Sequence, residues 1–142
     1  LREMVSLAGR SGRVCDGQAL LEGLQAREAL CPTGLAGGLA LLHCRSPESY
    51  LFEAGLVALG RTVHPIPFGA PDGRPTDLFF LLGCPDGRLH LHTLARLCLL
   101  ARTTPLLEQL RQAADAQAMC RCLIAAEAAW LQEQPDSARN GR

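Results

Sequence analysis

Two short apolar runs constrain this chain more than any other feature, because each is introduced by residues that suit a turn. The Gly34 to Gly38 stretch feeds Leu39 to Leu42, and Pro65 to Pro75, with four prolines and a Pro-Asp-Gly turn signal, feeds Asp77 to Gly83. Runs this short, bounded by Gly and Pro, read as buried strands, and the Phe pair in the second favours β structure. Leu51 to Leu59 is a further strand candidate.

Helical spacing dominates on either side. Met4, Val5 and Ala8 form a short apolar stripe, Gly9 to Val14 breaks it, and Asp16 can cap a second helix carrying Leu20, Leu21 and Leu24. That helix should stop near Cys31-Pro32, since proline disfavours a helical residue before it. From Leu89 the period becomes helical again, with Leu91, Leu94, Ala95, Cys98 and Ala101 on one face. A further helix opens at Thr104-Pro105 with Pro at its first position. The last begins near Asp115, with Met119, Cys122, Leu123, Ala126 and Trp130 inward. Strands in the middle and helices at both ends predict an α/β sandwich, a central mixed sheet flanked by helices. One domain is expected over residues 1–133, followed by a polar, flexible tail at 134–142.

At 142 residues the chain suits one core. Fourteen basic residues, all arginine, balance fourteen acidic ones, which removes the electrostatic footprint of a nucleic-acid binder. The apolar runs fall far short of the roughly 20 residues that cross a bilayer, and no secretory signal is evident, so a cytoplasmic protein without membrane insertion is expected. Leu1, already inside a helix-like pattern, is expected to follow a few trimmed or disordered residues. Seven cysteines without a C-x-x-C pair read as reduced, buried thiols.

Chemistry must come from few residues. Only four histidines exist, His43, His64, His90 and His92, and a neutral imidazole can act as a nucleophile near neutrality. His43 ends the first buried run, where ligands of α/β sheets gather, although a histidine there is more often a hydrogen-bonded structural residue. His90 falls in the first turn of the helix after the last strand, where free N–H groups would favour an anion. Arg27 and Arg45 are further candidates for holding negative charge. A metal site built on His90, His92 and nearby cysteines is a weaker reading, because residues two apart on a helix point about 200° apart; Cys120 and Cys122 fail similarly.

Together these pieces resemble the IIA domain of the phosphoenolpyruvate-dependent sugar phosphotransferase system, in its mannitol/fructose/nitrogen-regulatory branch. That family follows an Arg-Glu pair with S-T-G-I-G-N-G-(I/V)-A-(I/L)-P-H, and here Arg27 to His43 reads REALCPTGLAGGLALLH. VALGR at Val57 to Arg61, FGAPDGRPTDLFFLL at Phe68 to Leu82 and HLHTLARL at His90 to Leu97 match three later motifs in order. The resemblance implies His43 as the phosphorylated residue, with His90 and Arg27 as second histidine and active-site arginine. It implies the phosphocarrier HPr as donor, a IIB domain or regulatory target as acceptor, a bacterial setting, and no metal or organic cofactor. The other reading is a IIA-like interaction module that no longer carries phosphate. Leu42 for proline, Ala36-Gly37 for Gly-Asn and Cys44 for glycine depart from the pattern, and the first two changes are expected to loosen the loop that holds His43.

Overall fold

The structure is a computed structural model and describes residues 1–45 and 50–133. Among these, five helices and four strands follow one another as α1 (Arg2–Gly9), α2 (Gly17–Leu30), β1 (Gly34–Leu35), β2 (Leu39–Leu42), β3 (Leu56–Ile66), β4 (Thr76–Gly83), α3 (Gly87–Thr103), α4 (Leu106–Gln112) and α5 (Ala116–Glu133). The architecture is the expected α/β type with a mixed sheet. By their internal contacts the residues fall into two compact units, Leu1–Ala95 and the helical stretch from Arg96 on. The tail expected at 134–142 lies outside the described residues.

In the first unit the sheet order is β1-β2-β4-β3. β2 and β4 are parallel neighbours, with Leu39 opposite Leu78 and Leu42 opposite Leu81, while β1 pairs with β2 and β3 with β4 antiparallel. All four residues of β2 are buried, as are seven of the eight in β4, the pattern of parallel strands covered on both faces. Met4, Ala8, Leu20 and Leu24 of α1 and α2 share one core with Ala40, Leu42, Phe79 and Leu81 of the sheet. The expected cap of α2 is present, Asp16 Oδ1 accepting from the Ala19 N–H at 2.9 Å, and Cys31 leaves the helix fully extended before Pro32.

The strand expected over Leu51 to Leu59 is displaced. Leu51 and Phe52 are buried but pair with an earlier segment: Cys15 N–H donates to Leu51 O at 2.8 Å, and Phe52 forms an isolated bridge with Val14. The strand instead starts at Leu56 and runs on through Pro65. A proline is tolerated there because β3 is an edge strand whose register shifts between Arg61 and Ile66. The connecting loop is correspondingly shorter, and its turn closes with Gly73 N–H on Ala70 O at 3.0 Å.

In the second unit α4 packs on α5. Asp115 caps α5 through the Ala118 N–H at 2.7 Å, and Met119 is buried with Cys122, Leu123, Ala126 and Trp130 partly so, as the spacing predicts. Pro105 takes the position before the first helical residue of α4 rather than the first turn itself. Arg96 pairs with Glu127 at 3.0 Å and lies over the Trp130 ring.

Candidate functional site

Because β2 and β4 are adjacent and parallel, their carboxyl ends lie side by side, and the residues that follow them share one mouth of the sheet. His43 comes directly after β2. The three residues Cys84, Pro85 and Asp86 carry the chain from β4 into α3, which holds His90 in its first turn. The two imidazoles therefore meet, with centroids 5.4 Å apart and planes tilted by 53°.

His43 is half-buried, and its Nδ1 lies 2.7 Å from the Leu41 carbonyl oxygen. A carbonyl only accepts, so Nδ1 carries the proton and Nε2 keeps the lone pair. Burial pushes the His43 pKa below its ordinary value. The Leu41 bond opposes this, the Arg27 guanidinium adds to it, and the Glu28 carboxylate opposes it. His90 is buried at 8% exposure, and its pKa is also pushed down, by burial first and by the charge of His43 second. Both rings are thus biased towards the neutral form that can supply a lone pair. Arg27 sits in the last turn of α2, where Nη1–H donates to the Cys31 carbonyl at 2.7 Å and holds the guanidinium within electrostatic reach of His43.

The expectations fare differently. His43 and His90 meet at the mouth of the sheet, and Arg27, from the end of α2, lies within electrostatic reach of His43. His64 and His92 are exposed; His92 and His90 leave the helix in different directions, so the metal grouping does not assemble. Among the described residues no three His, Cys, Asp or Glu side chains could hold a metal ion, and no helix is long and apolar enough to cross a membrane. Arg45 is exposed. Of the seven free cysteines only Cys44 and Cys84 are buried, which corrects the expectation of a buried set.

The start of α3 also differs from expectation. Its N–H groups are not all open to an anion, because Asp86 takes one of them: Leu89 N–H donates to Oδ1 at 2.8 Å, while His90 N–H begins the ordinary helical ladder on the Asp86 carbonyl oxygen at 3.0 Å. The inward side of the helix passes through His90, Leu97 and Leu100, whereas Leu91 is 65% exposed. His90 thus occupies the core-facing position that the apolar pattern assigned to its neighbour.

The loop before β2 is tied at both ends. Gly37 adopts a positive φ of 86°, which suits glycine and which asparagine tolerates. Its N–H donates to Asp72 Oδ2 at 2.9 Å, and this bond with that of Arg74 N–H at 3.1 Å to Oδ1 holds the Asp72 carboxyl below its ordinary pKa. A Cβ on Gly34 would lie 2.5 Å from the Phe68 carbonyl oxygen, so the two loops touch backbone to backbone. Leu42, in the place of the proline, is 2% exposed and sits in the regular ladder opposite Leu81. The loosening expected from the departures is thus countered by the Asp72 tie and the Leu42 pairing.

Sequence reasoning missed the clamp behind Arg27. Glu28 accepts from Thr33 N–H at 2.9 Å and from Thr33 Oγ1–H at 2.5 Å. The only signal for it was an acid five residues before a threonine across a helix end.

Residues 1–126 match the family described as "Phosphoenolpyruvate-dependent sugar phosphotransferase system, EIIA 2". The chain is 30% identical over 126 residues to a nitrogen regulatory protein of Pseudomonas aeruginosa, covering 87% of this chain and 80% of that one. The crystal structure of nitrogen regulatory protein IIA-Ntr from Neisseria meningitidis superposes with a TM-score of 0.67 at 31% identity, covering 76% of this chain and 73% of that one. In the complex of enzyme IIA mannitol with phosphorylated enzyme IIB mannitol from Escherichia coli, the matching chain gives a TM-score of 0.73 at 15% identity over 87% of this chain and 84% of that one, a likeness of fold.

Proposed function

The chain belongs to the phosphoenolpyruvate-dependent sugar phosphotransferase system EIIA 2 family, and from that premise we propose that it is a phosphohistidine carrier whose acceptor is Nε2 of His43. The observation that carries this reading is the single bond at the other ring nitrogen. With Nδ1–H held on Leu41 O at 2.7 Å, the Nε2 lone pair is fixed in direction.

In the proposed step that lone pair attacks the phosphorus of a donor phosphohistidine. A new N–P bond forms at Nε2, the donor's N–P bond breaks, and its electron pair returns to the donor imidazole. Nδ1 keeps its proton, and the Leu41 carbonyl supports the positive charge the ring acquires. Such transfers ask little covalent work of a protein and depend on positioning and charge stabilisation. Arg27 and His90 would hold the phosphoryl oxygens, each charged hydrogen bond contributing about 1.5–3 kcal/mol.

The donor would be HPr. The E. coli IIA mannitol solved with phosphorylated IIB supports an acceptor of the IIB kind, and likeness to proteins named nitrogen regulatory protein supports a use in which the phosphorylation state is read by a target protein. Both uses place the protein in the bacterial cytoplasm.

Incubation with phosphoenolpyruvate, enzyme I and HPr should give an acid-labile, base-stable label that is absent from His43→Ala. Wild-type protein that stays unlabelled while still binding a partner would replace the carrier by an interaction module of the same fold.

A further inference from the structure

The nucleophile proposed above is held by a backbone carbonyl, and that carbonyl is itself only as well placed as the strand that carries it. β2 has four residues, registered on one side by β4 and held on the other only by β1, which has two. Thr33 extends this short ladder, its carbonyl accepting from Leu41 N–H at 3.2 Å. Thr33 is 5% exposed and is gripped from the other side by Glu28, through both its N–H and its hydroxyl. The next residue, Gly34, lies against the Phe68 carbonyl with no room for a Cβ.

A continuous path of hydrogen bonds therefore runs from the last turn of α2 to the imidazole: Glu28 carboxylate to Thr33, Thr33 carbonyl to Leu41 N–H, Leu41 carbonyl to His43 Nδ1–H. We propose that Glu28 is a positioning residue for His43, setting through Thr33 and Leu41 which ring nitrogen carries the proton and where the other one points. The inference rests on His43 as acceptor only for its consequence in phosphoryl transfer; the effect on the ring is independent of it. Glu28 is bonded to Thr33 rather than to the ring, and its charge also favours the protonated ring. Its neighbour Arg27, in the same helix turn, lies within electrostatic reach of His43, so one turn of α2 would supply both the charge that holds the phosphoryl group and the brace that aims the nucleophile.

The test reads the ring directly. Nitrogen-15 spectra of the imidazoles in unphosphorylated protein should show His43 as the Nδ1–H tautomer in wild type. Glu28→Ala and Thr33→Val should raise the Nε2–H fraction, and labelling from the enzyme I and HPr system should slow roughly ten- to hundredfold, as displaced reacting groups do. Thr33→Ser, which restores the hydroxyl, should return both readings to wild type. If Glu28→Ala does not fold, the Val and Ser pair at position 33 decides alone. An unchanged tautomer ratio in the folded variants overturns the proposal. Wild type that takes no label while the variants still shift the tautomer removes His43 as acceptor and leaves the positioning role standing.

Discussion

The mouth of the sheet, where β2 and β4 end, and the outer edge of the sheet along β3 both present histidine. At the mouth, His43 and His90 stand with ring centroids 5.4 Å apart, one ring tied to a carbonyl and the other buried at the start of a helix. At the edge, His64 is exposed on a strand whose Val63 is 91% exposed. The side chain is the same, and the difference is the backbone around it. Two parallel strands ending together bring distant segments to one place and give each ring a fixed neighbour, whereas an edge strand offers its residues to water. α3 repeats the contrast within one turn, since His90 is buried and His92 exposed.

The largest expected effects test that contrast through phosphoryl transfer. His43→Ala should lose the label entirely, and His90→Ala should slow labelling by roughly a hundredfold, the scale for removing one donor from a developing negative charge. His64→Ala and His92→Ala should label at the wild-type rate. A slow His92→Ala with a normal His90→Ala would reverse the assignment of the two helix positions.

A second contrast is in packing. A Cβ at Gly83, the end of β4 at the mouth, would collide with the ring of buried Phe52, whereas one at Gly60 on the edge strand would meet the Met4 Sδ at 2.7 Å. A thioether can rotate away and an enclosed aromatic ring cannot. Gly83→Ala should thus lower unfolding stability by about 1–3 kcal/mol, and Gly60→Ala by less, measured as urea midpoints. Equal losses would mean that the edge is packed as rigidly as the mouth.

The same difference explains what could be read from the residues alone. α1, α2 with its Asp16 cap, β2, β4 and the inner stripe of α5 follow from spacing and turn residues, which are local properties. His43, His90 and Arg27 could be grouped because several motifs occur in a recognisable order; no spacing rule brings positions 43 and 90 together without the parallel pairing of β2 and β4. The start of β3 was misplaced because Leu51 and Phe52 are apolar and buried yet pair with Arg13 to Cys15, a long-range choice that hydrophobicity does not encode. Its end was misplaced because Pro65 reads as a loop unless the strand is known to be an edge. The path from Glu28 to His43 was hidden for another reason: each of its three links involves a backbone group, which carries no residue identity.

The smallest expected effect concerns protons at the mouth. Unfolded, both histidines take up protons near the ordinary value of 6.5. Folded, burial lowers both pKa values, and each ring has a further cationic neighbour, Arg27 for His43 and His43 itself for His90. Between the folded pKa values and 6.5 the unfolded chain therefore binds more protons, and unfolding free energy rises with pH across that window. The contribution of these rings is complete above about 6.5, declines as pH falls below it, and levels off under the folded values. Urea midpoints should be lower at pH 5.5 than at pH 7.5 in wild type, and the gap should narrow in a His43→Gln, His90→Gln double variant. A gap that survives both substitutions would assign the pH dependence to groups away from the mouth and leave its two imidazoles no more constrained than the exposed ones.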